Sequence, residues 1–216
     1  MAISALATAT VSTDWRQLLE DLYRGRNVST IQSSQFIAMQ PHEVLIVCRG
    51  LVQLSTLYPN GDEGILGLVG PSMPFGIPFS LLNPYEAIAL TDVVLMRVHI
   101  VEIEQSPRLA QSLFRELMRR LQQTETLLAI AGYRRVDDRL RQLLELLRQE
   151  IGQVTPEGTR LSVRLTHQQL AGLIGTTRVT VTRLLREFRD EGSIGVDAAR
   201  HICFPASSSH PLVNPV

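Results

Sequence analysis

The sequence contains no lysine. Its 21 basic side chains are all arginines, and 21 acids balance them to a formal net charge of zero. High genomic GC content explains such a bias, and arginine also suits bidentate contacts with phosphate and guanine. A neutral total excludes no function by itself, so the distribution of charge along the chain is more informative.

Cysteine is scarce, and long apolar runs are absent. The two cysteines, Cys48 and Cys203, lie far apart in strand-like contexts and cannot by themselves hold an iron–sulfur cluster or a structural zinc. No apolar run is long enough to span a bilayer. The first residues, MAISALATAT, lack the basic region of a signal peptide. We therefore expect a reduced, cytoplasmic protein with no membrane span, no metal site and no haem.

The first half of the chain has the pattern of a small β domain. Residues 1–13 are predicted to be disordered, and apolar residues at helical spacing predict a helix over 14–26. Over 34–98, short apolar runs such as VLIVC and ILGLV are broken by glycine, proline and asparagine, which predicts short strands in a barrel. We assign residues 14–106 to one barrel domain.

From Pro107 to about Gly132 the apolar period becomes helical. A helix of about 25 residues is roughly 38 Å long, which a small barrel would not cover completely. The stripe therefore predicts helix-to-helix dimerisation, and packing onto the chain's own barrel is the alternative. The predicted interface residues are Leu113, Leu117, Leu121, Thr124 and Leu128. Residues 107–136 form this helix and a hinge, and a second helix follows from Val136.

Residues 137–206 carry the basic patch. Between 160 and 189 there are six arginines and one acid, a local charge of +5. After a loop, QVTPEGTR, and a short strand, LSVRL, two short helices are predicted around a tight turn at Gly175, with Thr166 and Thr176 or Thr177 as N-caps. A basic second helix after such a turn predicts a helix-turn-helix, and a plain helical hairpin is the alternative. The segments SIGV and HICF predict a β-hairpin wing, and 207–216 a flexible tail.

The order of barrel, long helix, hinge and winged helix-turn-helix resembles the cyclic-AMP receptor/fumarate–nitrate regulator (CRP/FNR) family. The string LTHQQLAGLIGTTRVTVTRLLREF is similar to that family's DNA-binding signature, in the version found in its cyanobacterial nitrogen-regulator branch. The resemblance implies an α+β fold: an N-terminal cyclic-nucleotide-binding-like β-barrel (jelly roll), a long dimerisation helix and a C-terminal winged helix-turn-helix. It also implies a homodimer that binds double-stranded DNA.

Site residues follow from the same resemblance. Arg178 and Arg183 match the family's base-reading arginines, since arginine suits guanine O6 and N7 in the major groove. Val179 replaces an acidic reader of cytosine, which implies palindromic GTA…TAC-like sites. The positions that match contacts to the DNA backbone are Thr166, Gln168, Thr177 and Thr180. Simple helix capping is the alternative role for each threonine.

The sequence indicates the small molecule that the barrel would bind less clearly than it indicates the DNA-binding residues. Phe75, Gly76 and Ile77 match the family's effector loop, but no arginine follows until Arg97, so cyclic AMP would lack a partner for its phosphate. The nitrogen-regulator branch binds 2-oxoglutarate, and Arg120 and Glu125 match two of its positions. The matching barrel arginine is missing. An ion pair on the helix surface or between helices is the alternative role of Arg120 and Glu125.

The sequence leaves three candidate functions. The first is a transcription regulator, and the family's habit of touching RNA polymerase implies an activator. The second is a regulator whose barrel answers to no small molecule and serves dimerisation or contact with a protein partner. The third is a cupin-type barrel enzyme, which needs a metal cluster. Only His42 and His99 are available in the barrel, without ligand-like spacing, so we predict that the chain is not an enzyme.

Overall fold

The computed structural model describes residues 28–206. The predicted disordered segment 1–13, the predicted helix 14–26 and the predicted tail 207–216 lie outside the described residues.

The chain divides into two compact units. One contains the described residues up to Thr56 together with Leu68–Gln122, and the other contains Leu57–Gly67 together with the chain from Gln123 onward. The division therefore falls inside the long helix, whereas the sequence placed boundaries at both of its ends. The first half of this helix packs on the β domain, which explains the difference.

Seven short strands make up the β domain. They form a four-stranded sheet in the order β1-β7-β2-β5 and a three-stranded sheet in the order β4-β3-β6. The strands are β1 Val28–Ile31, β2 Glu43–Arg49, β3 Val52–Leu57, β4 Glu63–Val69, β5 Pro74–Phe75, β6 Glu86–Ala89 and β7 Val93–His99. The predicted barrel-type fold is confirmed.

The longest pairing is antiparallel, between β2 and β7, with Ile46 opposite Met96. Apolar side chains from these strands are fully buried, as in Leu45, Ile46 and Leu95. At a rate of roughly 25 cal/mol per Å² of apolar surface removed from water, such side chains supply most of the stabilisation of the domain.

Two helices follow β7: α1, Ile100–Gln105, and α2, Pro107–Ala131. The long helix predicted from Pro107 is therefore confirmed. Leu109 and Leu113 are buried in one cluster with side chains of β2 and β7, and Leu117 packs at its edge. The first half of α2 thus uses its apolar stripe on its own β domain, which was the alternative left open by the sequence.

The second unit contains three more helices and a sheet. The helices are α3 Val136–Ile151, α4 His167–Leu173 and α5 Arg178–Asp190. Strands β8 Gly152–Thr155, β9 Gly158–Leu161, β10 Gly195–Val196 and β11 Ile202–Pro205 form one sheet in the order β10-β11-β9-β8.

The segment QVTPEGTR was predicted as a loop, and that interpretation was wrong. It contains most of the β8–β9 hairpin, in which Val154 pairs with Thr159. The predicted strand LSVRL contributes only its first residue, Leu161, because β9 ends there. Pairing with β11, which comes more than 40 residues later, supports β9 and is invisible to local pattern.

Candidate nucleic-acid interface

Helices α4 and α5 are joined by a tight turn, so the predicted helix-turn-helix is confirmed. Gly175 lies in this turn with φ of 60°, a left-handed conformation that favours glycine. The N–H of Thr176 donates to the carbonyl of Ala171 at 3.0 Å and closes the end of α4. The direction of α5 is therefore set by local backbone chemistry.

Threonines begin both helices. The Thr166 hydroxyl accepts from Gln169 N, and the Gln169 side chain accepts in return from Thr166 N, forming a capping box. Thr177, and not Thr176, caps α5 by accepting from Thr180 N at 3.2 Å. Replacing such a cap by alanine typically costs about 1 kcal/mol.

One face of α5 is buried, as its spacing predicts. Its members recur every three to four residues and are Val181, Leu184, Leu185 and Phe188. Phe188 is 2 % exposed, and the guanidinium of Arg141 from α3 lies 3.9 Å from the centre of its ring. Arg141 also pairs with Glu191, which follows α5, at 2.7 Å. These contacts fix the rotation of α5 and decide which side chains point outward.

The opposite face of α5 is exposed and cationic. A shallow concavity of about 510 Å³ is lined by Arg178, Val179, Thr182, Arg183 and Arg186. Val179 is 78 % exposed. Arginine donates to guanine O6 and N7, and an exposed valine makes apolar contact with the methyl group of thymine. The predicted base-reading residues Arg178, Val179 and Arg183 therefore share one surface.

Arg183 and Arg186 have acidic neighbours one turn along α5. Arg183 Nη1 lies 2.5 Å from Glu187 Oε1, and Arg186 Nε lies 4.0 Å from Asp190 Oδ2. Both pairs are exposed, and such i,i+4 pairs contribute only about 0.3–0.5 kcal/mol. They are weak enough for a nucleic acid to displace.

A deeper groove of about 730 Å³, which we call the basic groove, borders this face. Its floor includes Leu185, Ile194 and Ile202. Five groups that are or can become cationic line it, with no aspartate or glutamate among its lining residues: Arg164, His167, Arg178, Arg189 and Arg200. Such a groove attracts anions.

Burial lowers the pKa of His167 below the ordinary histidine value, and the nearby charges of Arg178, Arg189 and Arg164 lower it further. His167 is therefore mainly neutral near pH 7. Its Nδ1 lies 2.7 Å from the hydroxyl oxygen of Thr182, which connects α4 to α5.

The wing is the hairpin of β10 and β11, as the sequence predicts. Its turn is held by Asp197, which accepts from the backbone N–H of His201 at 2.8 Å and from Arg160 Nε at 2.6 Å. The His201 backbone bond and the Arg160 guanidinium lower the pKa of Asp197 to about 2. Arg200, with φ of 64°, lies in the turn of the wing, where its backbone N–H donates to the backbone carbonyl of Asp197 at 2.9 Å.

The residues expected to contact the DNA backbone lie in two places. Thr166 and Gln168 line the deeper groove. Thr177 is exposed, and its hydroxyl lies 2.9 Å from that of half-buried Thr180 at the start of α5. The capping role of Thr166 and Thr177 is now shown, and contact of these four residues with DNA stays a prediction.

The predicted effector residues are placed by the β domain and α2. Phe75 is fully buried and lies opposite Leu45 in the sheet. Gly76 has φ of 147°, and a Cβ there would approach the carbonyl oxygen of Glu43 to 2.9 Å. Ile77 is 36 % exposed. The loop is therefore built into the sheet and has little freedom to change its backbone.

Arg120 is engaged within its own unit. Its Nη1 donates to the carbonyl of Pro74 at 3.0 Å, next to the predicted effector loop. Glu125 is exposed on α2. Binding of an effector by either residue stays a prediction.

The exposure of the predicted dimer face changes along α2. Leu113 is only 5 % exposed because it packs against β2 and β7, so it has little surface to offer a second chain. Leu121 and Leu128 are 58 % and 74 % exposed, and Thr124 is exposed as well. The exposed apolar side chains of the first half are Phe114 and Met118, one position away from the predicted Leu113 and Leu117.

The sequence did not predict that four residues of the basic groove lie together: Arg164, His167, Arg189 and Arg200. Arg164 and Arg189 were counted in the basic patch, but pattern alone does not show that they converge with His167. Arg200 was taken as part of a hairpin turn. The remaining signal was the density of arginine between 160 and 200, which predicts a patch but not its shape.

No group of three or more histidine, cysteine, aspartate or glutamate side chains in residues 28–206 is placed to hold a metal ion. Among the helices of this described part, none is long and apolar enough to cross a membrane.

Comparisons with known proteins agree with this arrangement. Residues 138–205 match the family model of the Crp-like helix-turn-helix domain. The chain is 32 % identical to the global nitrogen regulator of Synechococcus elongatus, covering 86 % of this chain and 85 % of that protein. It is 41 % identical to the regulatory protein CysR of the same organism, over 67 % of this chain and 68 % of that one.

Solved structures share the fold. A cyclic nucleotide-binding domain containing protein from Listeria monocytogenes has a TM-score of 0.73 at 18 % identity, covering 92 % of this chain and 98 % of that one. FixK2 from Bradyrhizobium japonicum has a TM-score of 0.70 at 19 % identity, covering 82 % and 91 %.

The helix-turn-helix, its wing and the arginine-rich face of α5 define a DNA-binding transcription regulator. The relatives are regulators and not enzymes, so the prediction that this chain is not an enzyme is confirmed. The chain belongs to the CRP/FNR family of transcription regulators.

Proposed function

We propose that the protein binds palindromic GTA…TAC-like sites as a homodimer and that α5 reads their sequence. The observation that carries this proposal is the exposed face of α5, on which Arg178, Val179 and Arg183 stand together while the opposite face is buried. Arginine and valine in these positions suit guanine and the thymine methyl group. Both bases occur in a GTA half-site.

The dimer is supported by the exposed side of α2. Phe114, Met118, Leu121, Glu125 and Leu128 recur at alternating steps of four and three residues. This is the 3.5-residue repeat of a two-helix seam. A two-fold dimer that reads both halves of a palindrome would hold its two copies of α5 about 34 Å apart, one turn of DNA.

The protein is proposed to act in the cytoplasm as a transcriptional activator that touches RNA polymerase. This role comes from the family, most of whose members activate in this way.

Cyclic AMP is not the proposed effector. The segment after Gly76 contains no arginine before Arg97, and Arg97 already pairs with Glu43 at 2.9 Å. The metabolite to test first is 2-oxoglutarate, because Arg120 and Glu125 match the nitrogen-regulator positions. The engagement of Arg120 by the Pro74 carbonyl favours the alternative of a regulator that needs no small molecule.

Fluorescence anisotropy tests both parts of the proposal. A labelled GTA…TAC palindrome and a scrambled duplex of the same composition are titrated at one fixed salt concentration, with and without 2-oxoglutarate. We expect the palindrome to bind at least about 10³-fold more tightly than the scrambled duplex. Equal affinities for the two duplexes would contradict sequence-specific binding. Tighter binding with 2-oxoglutarate identifies an effector, and unchanged specific binding favours the effector-free regulator.

A further inference from the structure

The basic groove beside α5 is lined by positively charged side chains and by no acidic side chain that would balance them. It is lined by side chains from three regions: Arg164 precedes α4, Arg178 and Arg189 lie on α5, and Arg200 lies at the tip of the wing. All four are exposed, and no acid lines the groove. Arg178 belongs also to the surface that carries the base-reading residues, so the two surfaces are continuous.

His167 is the titratable group of this groove. It begins α4, and Gln168 of the same helix and Thr182 of α5 line the groove beside it. The charges that lower its pKa are those of Arg178, Arg189 and Arg164, and burial lowers the pKa more than they do. An anion that neutralises those arginines removes this electrostatic contribution and favours the imidazolium form.

The hydrogen bonds assign the titrating nitrogen. The Thr182 hydroxyl donates to the carbonyl of Arg178 at 2.8 Å, so its oxygen accepts from His167, whose Nδ1 lies 2.7 Å away. In neutral imidazole only one ring nitrogen carries a proton. Nδ1 therefore holds the proton of the neutral form, and Nε2 is the nitrogen that gains one.

We propose that this groove binds a phosphodiester of the DNA backbone and that His167 takes up a proton when it does so, which makes DNA affinity increase as the pH falls. The inference rests on the proposed DNA-binding function. Phosphodiester is the favoured anion because the groove adjoins the base-reading face of α5. The contact fixes the position of the protein on DNA and does not read sequence.

The direction of the effect follows from linkage. A group with a higher pKa in the complex than in the free protein binds a proton on association between those two pKa values. Affinity then rises as pH falls through the pKa of the complex, and it levels off below the pKa of the free protein. One proton per half-site changes affinity by at most about tenfold per pH unit per half-site.

The test measures the affinity of the full-length protein for the GTA…TAC palindrome at about pH 8 and about pH 6, on either side of the ordinary histidine pKa. Ionic strength is held constant because phosphate contacts are salt-dependent. We expect the wild type to bind at least about threefold more tightly at the lower pH. His167→Gln should bind with the same affinity at both pH values.

Two further variants separate the proposal from simpler causes. His167→Arg carries a permanent charge and should bind tightly at both pH values. His201→Gln removes a histidine that precedes β11 and does not line the groove, and it should keep the wild-type pH dependence. Circular dichroism checks that each variant is folded.

Each outcome has a distinct meaning. A pH dependence that survives in His167→Gln, or its absence from the wild type, overturns the proposal while specific binding still stands. Loss of all preference for the palindrome contradicts the proposed function instead. If inorganic phosphate at constant ionic strength abolishes the pH dependence, the groove prefers a free anion, and its assignment to the DNA backbone is wrong.

Discussion

Charged side chains in the DNA-binding unit have two roles: some hold the fold and others line exposed surfaces. Asp197 is bonded to the His201 backbone and to Arg160, so it holds the turn of the wing. Arg178 and Arg200 instead line open concave surfaces. Charge in this unit is therefore divided between groups that build the fold and groups left for a ligand.

Asp197 gives a stability prediction with a defined pH window. The pKa of its carboxyl falls from 3.8 to about 2 on folding. A carboxyl with a lowered pKa in the folded state stabilises that state fully above its unfolded pKa, and the contribution is lost as the pH falls through the folded value. Asp197→Asn should therefore be less stable than wild type at about pH 6, and the difference should shrink between about pH 4 and pH 2.

Urea unfolding of the two proteins at several pH values measures this difference. Asp190→Asn is the control, because its side chain is exposed and its nearest arginine nitrogen lies 4.0 Å away. Its stability should match that of wild type across the range. An Asp197→Asn protein with a difference from wild type that is constant down to about pH 2 would show that the charge of Asp197 does not hold the wing.

The long helix α2 changes role along its length. Leu109 and Leu113 belong to the core of the β domain, whereas Leu121 and Leu128 are exposed. A single apolar stripe in the sequence therefore serves two purposes. The change from buried to exposed occurs near Leu117, which only partly packs on the β domain.

This division predicts opposite effects from two leucines of α2. Leu121→Asp places a charge in the proposed seam and should give monomers in analytical ultracentrifugation with an unchanged fold. Leu113→Ala should remain dimeric but lose about 2–5 kcal/mol of unfolding free energy, because it leaves a cavity in the β domain. A dimer that survives Leu121→Asp, as judged by its sedimentation coefficient, would place the interface elsewhere.

The sequence predicted those elements whose determining residues lie within one short segment of the chain. The helix from Pro107, the helix-turn-helix and the wing depend on apolar period, caps and turn residues that lie close together in sequence. The β8–β9 hairpin was missed because it depends on pairing with β11 and on Gly158, where φ is 143° and a Cβ would meet the carbonyl oxygen of Phe204. Such a constraint comes from the distant strand and leaves no local signal.

The same distinction applies to the site. Spacing on α5 placed Arg178, Val179 and Arg183 on one face because a helix has a fixed period. The basic groove required knowledge of where Arg164, His167 and Arg200 meet, and these residues come from three separate segments. Position along the chain gives no measure of their convergence.

At the scale of the whole molecule, zero net charge conceals an asymmetric distribution. Six of the seven arginines between 160 and 200 line the two concave surfaces around α5, while acids that do not line these surfaces balance the total. Phosphate contacts of this kind give binding that weakens with salt and carries little sequence preference. Sequence preference must come from the few side chains that reach the base edges.

The most direct test of the central claim, that α5 reads DNA sequence, compares Arg183→Ala with wild type on the palindrome and on the scrambled duplex at one salt concentration. Arg183 lines the exposed face of α5 and does not line the basic groove. We predict a loss of about 1–3 kcal/mol on the palindrome and a much smaller loss on the scrambled duplex. Arg134→Ala, at an exposed site before α3, serves as a control and should leave both affinities unchanged. An equal loss from Arg183→Ala on the two duplexes would show that this arginine contacts only phosphates, and it would contradict the claim.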